Sequence, residues 1–450
     1  MGTDLPTPGA TRALAEWIAG FRDEAISPRA AEWARHVLLD WIAVTLAGAG
    51  EPLVGMLADA YGGGDGLPCT LVGLRARARP HDAALINGSA GHALDFDDVA
   101  QRMAGHPSVP VVPAALALAQ VRGARGLDLL RAIVVGHEVE SRVGEMVSPG
   151  HYVHGFHATG TVGTFGAAGA CASLAGLDAN AVANAIGLAA TQAAGLKSMF
   201  GTMAKPLHAG KAAMNGLMAA QLAERGFTAH TGALECAQGF ALTQSPEIGA
   251  FALPIDTRGG FAIESTLFKY HAACYLTHST IEAVRTLRET HGVGLDALGA
   301  MTVRVAGHHR GVCDIETPRT GLNVKFSIRH LAALALDGAD TAALDLYSDA
   351  TALDERVGRA RARVELVVEP SGAREDATVT LKTRDGRTLE ASANVAIPAA
   401  DLDAQWRRLV GKARSIAAPV LGDARFERMV SAVRGLADAP DLNPLLETLG

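Results

Sequence analysis

Apolar residues recur at three- and four-residue spacing over 11–21 and 28–49, the period of helices with one buried face. Ser27-Pro28 supplies an N-cap followed by proline at the first helical position. The same period predicts helices over 81–96, 111–121, 127–147, 161–175, 180–194 and 209–224. Several of these are rich in Ala and Gly, which predicts helix axes that approach closely. Gly62-Gly63-Gly64-Asp65-Gly66 reads as a surface loop, because it lacks the GxxxxGK[ST] spacing of a phosphate cradle. Up to about residue 265 the pattern is that of antiparallel helices with little strand.

Beyond that point the period changes. Segments 301–305 and 362–368 alternate, and 378–382 with 388–395 flank Asp385-Gly386, a hairpin turn signal. Helical patterns at 279–291, 325–336 and near 353–360 lie between the strands, which makes an α+β pattern. Residues 401–415 and 424–436 read as helices again and are expected to return to the first domain. The fold class is therefore mainly α with a smaller α+β domain. Residues 1–265 and 401–450 form an all-helical domain from both chain ends, and 266–400 form the α+β domain.

Composition narrows the function. The 450 residues are 49% hydrophobic and 19% charged, an ordinary globular balance. A net charge of −7 with no basic stripe lacks the electrostatic footprint of a nucleic-acid binder. The five cysteines are scattered without a CxxC, which argues against a disulfide framework, a structural zinc site or an iron–sulfur cluster. The N-terminus shows no secretory signal pattern. The uncharged stretch 158–177 has the length of a membrane span but is built of Gly, Ala, Thr and Ser. Tight packing of small residues in a protein core is the reading adopted, with no membrane and no nucleic acid as partner and a cytoplasmic location.

Five segments carry candidate chemistry. Gly91-His92-Ala93-Leu94-Asp95-Phe96-Asp97-Asp98, followed by His106-Pro107-Ser108, clusters acids and histidines. On a continued helix Asp95 and Asp98 would share one face; a solvated acidic loop and a metal site are the alternatives. His151, His154 and His157 precede the small-residue helix, and His157 lies nearest its start, where the helix dipole disfavours imidazolium. Lys205-Pro206-Leu207-His208 reads as an extended approach to a helix beginning near His208, which would present a cation beside converging N–H groups. Phe268-Lys269-Tyr270-His271 through Thr277-His278 leads into a helix at the domain join, and Lys325-Phe326-Ser327-Ile328-Arg329-His330 opens another. Together these offer several imidazoles, two or more lysines and an aspartate, a set suited to a substrate with two or three carboxylates.

The same segments, in the same order, resemble the MmgE/PrpD family: Leu94-Asp95-Phe96-Asp97-Asp98 with His106-Pro107-Ser108, Gly155-Phe156-His157-Ala158-Thr159-Gly160, Lys205-Pro206-Leu207-His208-Ala209-Gly210, Thr277-His278 and Lys325-Phe326-Ser327. The resemblance covers nearly the whole chain. It implies a helical domain from both chain ends, a smaller α+β lid, a homodimer, and catalysis with no metal and no organic cofactor. Carried over, it places Asp95, His106, His157, Lys205 and His278 as catalytic residues, with His208 and Lys269 as supporting or substrate-binding ones; Lys325 and His330, from the fifth segment, are added as substrate-binding candidates. Two positions depart from the family pattern. Val99-Ala100 stands where Thr-His is common, and His330 stands where a Tyr is frequent and belongs to the site in the decarboxylase branch. The expected activity is a lyase, with dehydration of a 2-methylcitrate, citrate or aconitate-type acid ranked first. Epimerisation or isomerisation and then decarboxylation follow. A non-catalytic carboxylate-binding protein and a metal-dependent hydrolase are the competing classes.

Overall fold

The computed structural model describes residues 7, 9–21, 26–64 and 66–450, so Asp65 of the glycine-rich loop lies outside the described residues. The N-terminal apolar period folds as Ala10–Gly20 (α1) and Pro28–Gly48 (α2). Ser27 caps α2 by accepting a hydrogen bond from the Ala30 amide at 3.0 Å, satisfying one of the donors a helix start leaves open. Then come Pro52–Tyr61 (α3), Pro80–His92 (α4), Ser108–Arg122 (α5), Gly126–Val147 (α6) and the short Gly150–His154 (α7). Ala158–Ala175 (α8), Ala179–Ala190 (α9) and Ala204–Glu224 (α10) follow. A two-stranded ribbon, Cys69–Thr70 (β1) with Arg77–Ala78 (β2), interrupts the helices.

The chain divides into two compact units, Met1–Phe268 with Ala400–Gly450 and Lys269–Ala399. Helix α8 runs through the first. It is buried at every position from Ala158 to Ala172 and packs against α5, α6 and α10. Its side chains are small, so three helices close on it directly. No single helix among the described residues is long and apolar enough to cross a membrane. Helices α4 and α10 meet backbone to backbone: a Cβ on Gly210 would lie 2.1 Å from the Leu85 carbonyl oxygen. The C-terminal helix Leu402–Leu421 packs along α2. There Lys412 Nζ, fully buried, donates to Asp40 Oδ1 at 2.6 Å and to the Phe96 carbonyl at 2.8 Å.

In the second unit four strands take the order β4-β3-β5-β6, with Leu298–Ala306 (β3), Val364–Glu369 (β4), Asp376–Thr383 (β5) and Thr388–Asn394 (β6). Strand β3 is parallel to β4 and antiparallel to β5, and Asp385-Gly386 turns β5 into β6. Helices His278–His291 and Ile328–Asp337 bury their apolar faces in one core with the inward residues of the sheet, among them Leu287, Leu331, Val303, Val379 and Leu381.

Three local expectations are corrected. The helix expected to reach Phe96 ends at His92. Asp95 takes φ 50°, in the left-handed region that Asp tolerates better than most residues. Asp95 and Asp98 therefore share no helix face: Asp95 is exposed, while Asp98 is buried. Lys205 and Pro206 lie inside the first turn of α10 rather than in an extended approach, a position where proline's missing N–H costs nothing. Lys325 follows the short helix Gly321–Val324, and the next helix starts at Ile328 with Ser327 as its cap.

Candidate active site

The ends of α4, α8 and α10 place their polar residues together. His92 is the last residue of α4, His157 caps α8, and Lys205 and His208 stand in the first two turns of α10. The segment between α4 and α5 brings Asp95, Asp97 and His106. It is pinned where Val99 pairs with Leu267, with N–O distances of 2.7 and 2.9 Å, and where Ala100 pairs with Gly105. Val99 and Ala100, which stand where the resemblance has Thr-His, thus serve the backbone ladder.

The site grades from an open rim to a dry floor. At the rim, Lys205 Nζ donates to Asp95 Oδ1 at 2.8 Å; the Asp95 side chain is 57% exposed and that of Lys205 16%. His106 stands behind them, its Nε2 3.5 Å from Asp95 Oδ1 and its Nδ1 3.1 Å from Asp97 Oδ2. That second contact is close enough for an ion pair but off line for a hydrogen bond. At the floor, His92 Nδ1 lies 2.9 Å from Asp97 Oδ2, both side chains fully buried. The His92 ring meets His106 edge-on at 4.6 Å and stacks on His157 at 5.7 Å. His157 Nδ1 faces His208 Nδ1 at 3.1 Å, and Phe200 packs edge-on against His157.

Burial sets the electrostatics. It pushes His92 down to about 4, against the pull of Asp97. It drives His157 well below the ordinary histidine range, with His92, His106, Lys205 and His208 adding to the effect. The same desolvation lowers His208, helped by Lys205. Sequence reasoning looked to the helix dipole for a lowered His157; burial is the first cause, and the neighbouring basic groups add to it. Geometry agrees, since only one of two Nδ1 atoms 3.1 Å apart can carry a hydrogen between them, so at least one of His157 and His208 is neutral. For Asp97 burial acts upward, but His106 and His92 outweigh it and hold the carboxyl well below its usual range. Asp98 goes the other way: burial and then Asp40 raise it well above that range, although Ser108 donates to its Oδ1 at 2.6 Å from the hydroxyl. Burial thus disfavours the charged form of His92, His157 and His208, while Asp97 is held in its ionised form.

Among the described residues His92, Asp95, Asp97 and His106 approach within 4.8 Å of one another, a group that could hold a metal ion. Lys205 already sets a positive charge on Asp95 Oδ1, doing locally what a divalent ion would do. The arrangement as it stands can orient an anion by its lysine and pass a proton between its imidazoles and the reacting atoms.

Of the residues singled out from the sequence, the helical unit brings Asp95, His106, His157, Lys205 and His208 together. His278, Lys269, Lys325 and His330 belong to the second unit. There His278 is buried, its Nε2 3.2 Å from the Ala273 carbonyl and its ring edge-on to His271. Burial, then His271 and Lys269, push it well below the usual range. Lys269 is buried, and Lys325 Nζ lies 5.2 Å from the centre of the Tyr347 ring. His330 is fully buried with Nε2 3.1 Å from the Thr351 carbonyl, which makes it an internal anchor in this unit. Sequence reasoning passed over His92 and Asp97 as site residues. Their signal was a histidine five residues before an acid across a helix end.

Comparison with known proteins follows the same segments. The MmgE/PrpD N-terminal domain matches residues 12–247 and the MmgE/PrpD C-terminal domain residues 271–436. A cis-aconitate decarboxylase of Aspergillus terreus is 25% identical over 98% of this chain and 96% of its own length. A cis-aconitate decarboxylase-like protein of Aspergillus oryzae is 27% identical over 98% and 97%. The cis-aconitate decarboxylase of Homo sapiens is 30% identical over 47% of this chain and 45% of its own length.

Proposed function

The chain belongs to the MmgE/PrpD family, and from that premise we propose that it is a lyase acting on a small polycarboxylate of the aconitate type through imidazole and lysine chemistry. The observation that carries this reading is the Lys205–Asp95 pair at 2.8 Å set beside His106, His92 and His157.

The shared difficulty of such reactions is charge on a carbon next to a carboxylate. In decarboxylation the carbon–carbon bond breaks, CO2 leaves, the electron pair of that bond stays on the remaining carbon, and an imidazolium supplies the proton that replaces CO2 and ends as a neutral ring. Lys205 holds a substrate carboxylate and opposes the negative charge as it develops; a fixed donor in that role is worth about 2.7–4 kcal/mol. His106 and His157 act as the proton-transfer pair, a function worth roughly 10²–10⁴-fold. Dehydration was ranked first from the sequence. The relatives matched along nearly the full chain are named for decarboxylation, which moves carbon–carbon cleavage ahead of it. Dehydration stays as the second reading because two imidazoles, His106 and His157, both pack against His92: one, unprotonated, can take the proton and the other, protonated, can protonate the leaving hydroxide.

The test is incubation of the purified protein with cis-aconitate, citrate and 2-methylcitrate in turn, with and without EDTA, resolving acids and CO2. Consumption of a tricarboxylate that persists in EDTA supports the reading. Binding of these acids with no consumption would replace it by a carboxylate-binding protein, and loss of activity in EDTA would replace it by metal chemistry at His92, Asp95, Asp97 and His106.

A further inference from the structure

Asp97 has no role in the reading so far, yet it is the most enclosed charge of the site. Its carboxylate is fully buried and faces two imidazoles through the same kind of atom, His92 Nδ1 at 2.9 Å and His106 Nδ1 at 3.1 Å. An ionised carboxylate can only accept, so a ring nitrogen facing it carries its hydrogen there. His106 also has Asp95 near its other nitrogen, and the two carboxylates compete to set its tautomer. Three differences decide between them. Asp97 is nearer, 3.1 against 3.5 Å; it is buried while Asp95 is 57% exposed; and the charge of Asp95 is already engaged by Lys205. Coulombic pull weakens with distance and with solvent, so Asp97 prevails. The main chain of His106 is fixed as well, its amide donating to Thr159 Oγ1 at 3.0 Å. What remains adjustable is the ring, and its off-line contact with Asp97 is of the sort that tightens when substrate is bound.

Resting on the lyase reading above, we propose that Asp97 is a positioning residue: it holds His106 in the Nδ1–H tautomer, so that Nε2, directed to the open rim, is the atom that exchanges a proton with substrate. His92 Nδ1 meets both oxygens of the carboxylate, Oδ1 at 3.0 Å and Oδ2 at 2.9 Å, and keeps it from turning away. Both rings face Oδ2; Asn at position 97 loses the full negative charge and puts an NH2 donor where one of these oxygens accepts. The pull that keeps the hydrogen of His106 on Nδ1 is then weakened, and its tautomer shifts toward Nε2–H.

The experiment has two arms. Nitrogen NMR of 15N-histidine protein, without substrate, reads the His106 tautomer in the wild type and in Asp97→Asn, with His106→Gln used to assign the signal. Hydrogen on Nδ1 in the wild type, lost or mixed in the variant, is expected. Hydrogen on Nε2 in the wild type overturns the proposal whether or not the variant folds. Steady-state kinetics forms the second arm: Asp97→Asn should lower kcat about 10²–10⁴-fold with KM changed only a few-fold, the size of a lost proton-transfer step. A variant with the wild-type tautomer, or with kcat within about threefold of wild type, also overturns it. If the wild type turns over no polycarboxylate, the lyase reading fails while the NMR arm still decides the role of Asp97.

Discussion

Replacing Lys412 by Met should be far more damaging to stability than replacing Lys205, although both lysines hold an aspartate at under 3 Å. Lys412 and Asp40 have side chains 1% exposed, and the ammonium also donates to the Phe96 carbonyl at 2.8 Å with the Phe96 ring 4.1 Å away. Met keeps the length and apolar bulk of the chain but removes the charge, which takes the counter-charge from a buried carboxylate and a donor from a buried carbonyl. Removing one partner of a buried pair costs about 3–5 kcal/mol, a large part of the roughly 5–15 kcal/mol that holds a domain folded. Asp40→Asn combined with Lys412→Met should recover much of the loss, because the neutral amide no longer requires a cation. Urea unfolding followed by tryptophan fluorescence reads both, since Trp41 lies next to Asp40 in α2. Activity should fall too, because Lys412 anchors the carbonyl between Asp95 and Asp97. A Lys412→Met midpoint within about 1 kcal/mol of wild type would refute the reasoning, as the cost of an uncompensated buried charge would then be absent.

Lys205→Met should leave stability within about 1 kcal/mol, because its partner Asp95 is mostly solvated. It should lower kcat about 10²–10³-fold; unfolding and kinetics on one preparation check both. Gly210→Ala should unfold at clearly lower temperature by calorimetry, since its Cβ meets the Leu85 carbonyl at 2.1 Å and overpacking costs about 1–3 kcal/mol; an unchanged midpoint would contradict the close crossing of α4 and α10. Stability should fall on mild acidification. Burial pushes His36, His92 and His330 down to about 4 and His137 to about 3, and it lowers His157 and His278 strongly. The unfolded chain takes up protons below about 6.5 that these folded rings refuse, so stability is lost as pH falls from about 6.5 toward 4. Asp98 and Glu140, raised by burial, act in the opposite sense over this window because the folded chain keeps their protons. Six rings outweigh two carboxyls, and thermal midpoints at about pH 7 and about pH 5 should differ in favour of the higher pH.

Periodicity marked most of the longer helices but passed over Pro52–Tyr61 and the short ones, which span too few turns to show a period. It failed where packing takes over from pattern. Leu94 and Phe96 extend the apolar period of α4, yet the helix stops at His92 because Phe96 turns to Lys412, a contact from 316 residues away in the chain. That early stop separates Asp95 from Asp97 and Asp98, sending one to the rim and two to the interior. The cation at Lys205 and the histidine at His157 were legible as residues near helix starts. Their convergence was not, because it depends on the close crossing of α4 and α10. His92 and Asp97 were hidden for the same reason: an acid after a helix end reads as solvated loop unless something covers it. The substrate was not legible, since the residues that clamp carboxylates are alike for several polycarboxylates.

The most direct test of the central claim is a proton NMR time course of the wild type and His106→Gln with cis-aconitate in D2O, with EDTA present throughout. The account predicts loss of a carboxylate, or addition of water across the double bond, with one deuterium placed at a single carbon next to a carboxylate by the wild type. His106→Gln should be slower by about 10²–10⁴-fold. Equal turnover by the two proteins, or no reaction with cis-aconitate, citrate or 2-methylcitrate, would contradict imidazole-driven lyase chemistry at this site.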